Sequence, residues 1–222
     1  MPLSTFYIPP YWGKIFELNK LLYENPDVKY FIWIDSDATI INVNKLNNLI
    51  NELSFYNMII SNDIPPWYGM FNDGVFIIKN NDIGRQIISK WITYYNKDMW
   101  DFINDTWTCK SYWSGPEYEQ GSFTSYILTD DNFNKYIKNL NYYVLNNNSF
   151  INTHDDTICV HLAGFYKNEI KEINYFYKNI MIEHINNTIK YDIYWINVLF
   201  QIYCVIIIWL IVLLIICIVI KK

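Results

Sequence analysis

Apolar positions along this chain switch repeatedly between a helical and an extended spacing. "YWGKIFELNKLLYEN" places Ile15, Leu18, Leu21 and Leu22 near the helical period and predicts a helix. "KYFIWID" follows as a short unbroken apolar run, the pattern of a strand buried on both faces. Next, "NVNKLNNLINEL" predicts a helix, "NMIISND" a strand, and "DGVFIIKN" a strand entered through a glycine turn. "DIGRQIISKWITYYN" and "EQGSFTSYILTD" predict two more helices, the second with Phe123, Tyr126 and Ile127 on its apolar side. "YYVLNN" and "TICVHLAG" predict strands. Strands alternating with helices predict an α/β sandwich on a mainly parallel central sheet. No linker or internal repeat interrupts the pattern, so one domain is expected over residues 1–193.

The pattern then changes character. In "VLFQIYCVIIIWLIVLLIICIVIKK" residues 202–220 carry no charge, and the run is long enough to span a hydrocarbon core. One C-terminal transmembrane helix is expected over residues 198–220, fringed by Tyr194, Trp195 and Tyr203, which makes the lipid bilayer a partner. "MPLSTFYIPPYWGKI" has neither the basic start nor the apolar run of a secretory leader. A single span at the far end then implies a tail-anchored chain with its domain on the cytosolic side. Lys221 and Lys222 on the opposite side run against the positive-inside rule, so a lumenal orientation stays open.

Composition narrows the function classes. At 52 % hydrophobic residues the chain supports a sizeable core and is not disordered. Its 22 acidic and 17 basic residues leave a net charge of -5, and no basic cluster exceeds the terminal lysine pair, so no nucleic-acid partner is expected. The aromatic content of 19 % follows equally from an A+T-rich coding sequence and carries no functional weight. Four cysteines without CxxC spacing exclude a zinc site; Cys109 and Cys159 are open to either a disulfide or two free thiols.

The candidate chemistry starts where "YFIWIDSDATI" sets Asp35-Ser36-Asp37 at the tip of an apolar strand. Like charges this close need a cation or a solvated turn, so a metal site and a plain turn are the two readings. Ligands of open α/β sheets bind at the carboxyl ends of strands, and paired carboxylates suit Mn²⁺ or Mg²⁺, which in turn hold a diphosphate.

"PPYWGKIFELNKLLYENPDVKYFIWIDSDATI" resembles the central region of the retaining galactosyl-, mannosyl- and xylosyltransferases of the GT-A type, with their Pro-Tyr-Trp-x-Lys segment, helix, and strand ending in a DXD motif. "FNDGVFIIKN", "EQGSF" and "HLAGF" are similar to three further motifs of that family, in the family's order. The resemblance implies a GT-A nucleotide-diphospho-sugar transferase fold. It further implies that Asp37 ligates the metal, that Asp35 contacts the nucleotide and shares the cation, and that His161 is the third ligand. Asn72, Asp73 and Gly74 would contact the sugar, although an Asn-Asp-Gly turn entering a strand is the bland alternative. Glu119 and Gln120 would serve catalysis beside the reacting sugar; Glu119 reads equally as a helix-start carboxylate facing the dipole.

The family's fold opens with a strand and loop that hold base and ribose, upstream of the Pro-Tyr-Trp-x-Lys segment. Here that segment starts at Pro10, so an N-terminally truncated fold with weak or no transferase activity is expected. Besides a metal-dependent hydrolase of nucleotide sugars, which would use the same cation with water as acceptor, two functions remain in view. One is a membrane-anchored, metal-dependent, retaining glycosyltransferase that moves a sugar from a nucleoside diphosphate sugar donor to a glycan or glycoprotein acceptor. The other is a catalytically inactive, membrane-bound carbohydrate-binding or scaffold protein of the same fold.

Overall fold

The computed structural model describes residues 8–64, 66, 70–150, 152–163 and 193–195. Helix α1, Pro10–Glu24, begins with a proline in its first turn, where the missing N–H costs nothing. It buries Trp12, Ile15, Leu18 and Leu22 along one stripe. Strand β1, Tyr30–Ile34, leads through a tight turn into β2, Ala38–Ile40. Helix α2, Val43–Asn51, starts at Asn42, whose side chain accepts from the Lys45 N–H. Then come β3, Met58–Asn62; β4, Phe71–Lys79; and α3, Asp82–Ile92, capped by Asn81. A hairpin, β5 Trp100–Ile103 and β6 Thr106–Cys109, turns through Asn104 and Asp105. Both turn residues have positive φ, as a two-residue hairpin turn demands. Helix α4, Glu119–Ser122, runs into a π-helical turn over Phe123–Ile127. The remainder is α5, Asp131–Asn134; β7, Ile137–Leu140; α6, Tyr142–Leu145; β8, Cys159–His161; and β9, Ile193–Trp195.

The central sheet has the order β7-β3-β4-β1-β9. It is mixed, not mainly parallel: β4 runs antiparallel to both β1 and β3, whereas β3–β7 and β1–β9 are parallel pairs. The short link from β3 to β4 leaves no room for a crossover helix, which forces the reversal. Side chains alternate across the sheet. Phe31, Trp33, Met58, Ile60, Phe76 and Ile78 face α1, α3 and the π-helical turn. Ile32, Ile34, Ile59, Val75 and Ile77 face α2 and α6. The sandwich is therefore helix, sheet, helix, and the unbroken apolar runs are strands covered on both faces.

Other expectations change. "YYVLNN" forms the short helix α6 and not a strand; an apolar run this short fits one helical turn as well as a strand, and Leu145 at its end is fully buried. Tyr126 is exposed, while Phe123 and Ile127 are buried as expected. Strands β2, β5, β6 and β7 span only three or four residues each, too short for a periodic signal, and were not anticipated. Cys109 and Cys159 are free thiols. Among the described residues no helix is long and apolar enough to cross a membrane, and the apolar run 202–220 lies outside them.

Two tryptophans tie the helices to the segment that opens α4. Trp12 Nε1 donates to the Glu117 carbonyl at 2.8 Å. Trp91 Nε1, fully buried among Phe71, Phe76 and Phe123, donates to the Glu119 carbonyl at 2.8 Å and to Ser122 Oγ at 3.0 Å. Trp91→Phe keeps an aromatic ring and loses both bonds, while the Glu119 carbonyl still accepts from Ser122 Oγ, so the expected loss is about 0.5–1.5 kcal/mol, read from denaturant unfolding.

Candidate functional site

The turn that ends β1 is closed by the Ala38 N–H on the Asp35 carbonyl at 3.0 Å. It hands the chain to β2, which pairs antiparallel with β8 so that Ala38 lies opposite His161. Leu162 N–H then bonds the Asp37 carbonyl at 2.9 Å, and the ladder brings His161 Nε2 to 3.3 Å from Asp37 Oδ1. Asp35 completes the group: one ligand atom each from Asp35, Asp37 and His161 lie within 4.8 Å of one another. Two carboxylates and an imidazole form a donor set that suits Mn²⁺.

Hydrogen bonding around His161 fixes which nitrogen faces the carboxylate. Asn146 Nδ2 donates to Ser61 Oγ at 2.6 Å, which turns the amide oxygen toward His161 Nδ1 at 3.1 Å. That oxygen only accepts, so Nδ1 carries the proton. A neutral ring then presents the Nε2 lone pair to an Asp37 oxygen, which also only accepts. Two lone pairs at this distance repel unless a cation or a second ring proton lies between them. Gly74 sets the ring's plane: a Cβ there would meet His161 Cε1 at 2.0 Å and Nδ1 at 2.4 Å. Only a glycine lets the imidazole lie against β4.

Beneath this group lies Lys14, whose ammonium is 2.8 Å from Asp73 Oδ1, 3.6 Å from Glu119 Oε1 and 3.7 Å from Asp35 Oδ2. Its side chain is only 10 % exposed. Burial alone would lower its pKa, but Asp73, Asp35 and Glu119 outweigh that and raise it, so Lys14 stays charged. Burial also pushes Asp35 up, with Lys14 opposing. Glu119 is raised well above the ordinary 4.5, first by burial and then by the Asp73 charge. Asp73 Oδ2 and Glu119 Oε2 are both buried without a hydrogen-bond partner among fixed donors. A protonated Glu119 that donates to Asp73 satisfies both oxygens at once.

Asn72, Asp73 and Gln120 are knit into the same edge by Asp63. Asp63 Oδ1 accepts from Asn72 Nδ2 at 2.9 Å, and its Oδ2 from Gln120 Nε2 at 3.2 Å. Asn72 Oδ1 accepts from the Gly74 N–H at 2.9 Å, and Gln120 Oε1 lies 3.4 Å from the Asp73 N–H. The eight residues expected from the sequence thus gather at one edge of the sheet. Asn72, Asp73 and Glu119 are buried in it.

No family model matches the chain, and no curated protein matches it. A solved structure does: the crystal structure of a glycosyltransferase involved in the glycosylation of the major capsid of PBCV-1 superposes with a TM-score of 0.50. The match spans 75 % of this chain and 76 % of that chain at 17 % sequence identity. The two proteins share a fold.

Within this shared fold, sequence reasoning missed Lys14, Asp63, Ser61 and Asn146. Lys14 did carry a signal. It precedes Leu18 by one helical turn, at the margin of the stripe that α1 buries, and a lysine there calls for buried carboxylates. Asp63 and Asn146 had none, because each stands beside an asparagine, Asn62 and Asn147, from which nothing in the sequence sets it apart.

Two outcomes follow from this geometry. Gly74→Ala displaces the imidazole, and Mn²⁺ affinity measured by electron paramagnetic resonance of the free ion falls by about 10- to 100-fold while the circular dichroism spectrum is kept. Glu119 binds a proton in the folded chain that the unfolded chain has released above about pH 4.5. Stability is therefore fully present below that pH and declines as pH rises toward the folded value. Glu119→Gln removes this slope, so its unfolding free energy, measured across pH, is flatter above pH 4.5 and at neutral pH no lower than that of the parent.

Proposed function

We propose that this protein is a metal-dependent glycosyltransferase that moves a sugar, with retention, from a nucleoside diphosphate donor to a glycan or glycoprotein acceptor. The observation that carries the reading is the grouping of Asp35, Asp37 and His161, one ligand atom of each within 4.8 Å of the others and His161 Nε2 3.3 Å from Asp37 Oδ1, a donor set that suits a divalent cation. Asp35, Asp37 and His161 would hold Mn²⁺ (or Mg²⁺). When bound, such an ion neutralises a leaving diphosphate as a Lewis acid.

The chain's own groups have distinct tasks in this reading. Asn146 keeps the proton on His161 Nδ1 and leaves Nε2 open. Lys14 holds Asp35 and Asp73 in register. Asp73 and Glu119 lie against Lys14 at the edge where the sugar would sit, and the Asp73 carboxylate would favour an oxocarbenium-like transition state there. Gln120, fixed by Asp63, orients sugar hydroxyls. Residues 198–220 anchor the domain in a bilayer.

The test is calorimetry of uridine and guanosine diphosphates with and without Mn²⁺, on the parent protein and on Asp37→Ala. Nucleotide binding that needs both Mn²⁺ and Asp37 is the expected result. A folded domain that binds neither nucleotide with Mn²⁺ present sinks the transferase reading and leaves a carbohydrate-binding scaffold.

A further inference from the structure

We infer that the groove beside Gln120 binds an uncharged saccharide, with the face of Trp113 as its stacking platform; as the acceptor subsite it rests on the transferase reading above. The groove encloses about 340 Å³ and is walled by Met70, Tyr112, Trp113, Ser114, Thr124 and Ser125. No charged side chain lines it. A nucleotide, a phosphopeptide or an acidic glycan would need a cation there, so the lining selects a neutral ligand.

Trp113 is 68 % exposed and Tyr112 is 72 % exposed, which is unfavourable for rings of this size unless something covers them. Neither ring hangs free. Trp113 meets Tyr11 edge to face at 5.6 Å and Tyr118 at 5.0 Å, and Tyr118 is itself buried. Tyr112 packs over Gly115, where a Cβ would come within 3.0 Å of its ring. The loop that carries them is set just as firmly. Ser114 adopts a φ of 59°, a strained value for a residue other than glycine. A Cβ on Gly121 would come within 2.3 Å of the Ser114 carbonyl oxygen, so the loop's backbone rests directly on α4. Strain of this kind persists where the surroundings over-determine it.

Rigid aromatic faces set among hydroxyls match a pyranose or furanose ring, which offers a C–H face on one side and hydroxyls at its rim. Position adds to this. Gln120 Nε2 is 3.3 Å from Ser114 Oγ in the groove wall and 3.2 Å from Asp63 Oδ2, so one side chain joins the groove to the acidic edge. A sugar seated on Trp113 lies next to the residues that would hold the donor.

The experiment is saturation-transfer NMR with the methyl glycosides of glucose, galactose, mannose and xylose on the full chain in detergent, with Mn²⁺ and uridine diphosphate titrated in parallel. The expected result is that at least one glycoside binds, that Trp113→Ala weakens it by about tenfold, and that Trp113→Phe restores part of the loss. Ser125→Tyr, which fills the groove from another of its lining positions, abolishes binding. Mn²⁺-dependent nucleotide binding is unchanged in each variant. No glycoside bound by the parent, or equal binding by parent, Trp113→Ala and Ser125→Tyr, overturns the inference. Trp113-dependent glycoside binding without any nucleotide binding keeps the groove as a saccharide site and removes the transferase reading alone.

Discussion

A single buried ammonium holds the polar edge of this protein together. Carboxylates from the end of β1, the start of β4 and the start of α4 approach Lys14, which α1 delivers through the apolar face it buries. Removing three carboxylates from water without a counter-charge would be prohibitive. Lys14 offsets one of the three charges, and burial raises the pKa of both Asp35 and Glu119, which lessens the rest. The helix that looks like the most ordinary packing element in the chain is thus the electrostatic foundation of the site.

The reversed strand explains how so many functional groups come from so few elements. In a sheet whose strands all ran one way, only their carboxyl ends would reach the ligand edge. Because β4 is antiparallel to β1 and β3, its first residues lie beside their last, and Asn72, Asp73 and Gly74 join Asp35 and Asp63. Between the pairs Ile59–Ile77 and Ser61–Asn72, the β3–β4 ladder loses register. The irregularity lies next to Ser61 and Asn72, where the Asn146 amide enters. Bulges near functional edges re-aim side chains in this manner.

What the sequence disclosed divides along physical lines. Buried strands and amphipathic helices write their period into consecutive residues, so β1, β3, β4, α1, α2 and α3 were legible. Asp35 and Asp37 stood out because they interrupt an apolar run, and His161 because it sits in a distinctive motif, and the structure brings the three together. The pairing of β2 with β8, which makes Asp37 and His161 neighbours, rests on three residues in each strand and has no periodic signature. Strand direction was misjudged because apolar runs report burial and not orientation. Asn146 and Asp63 act through single long-range hydrogen bonds, and nothing in their flanking residues distinguishes them from the many loop asparagines and aspartates.

The contact of Gly74 with the His161 ring also constrains how this chain can change over generations. The space that a side chain at position 74 would need is already filled by the imidazole. The two positions therefore form an ordered pair in mutational history: a larger residue can enter β4 only in a lineage that has already surrendered its histidine. A relative with a bulky residue at the one place and histidine at the other would need a different backbone path between β4 and β8, which makes this pair a marker for whether a distant homologue keeps the site or only the scaffold.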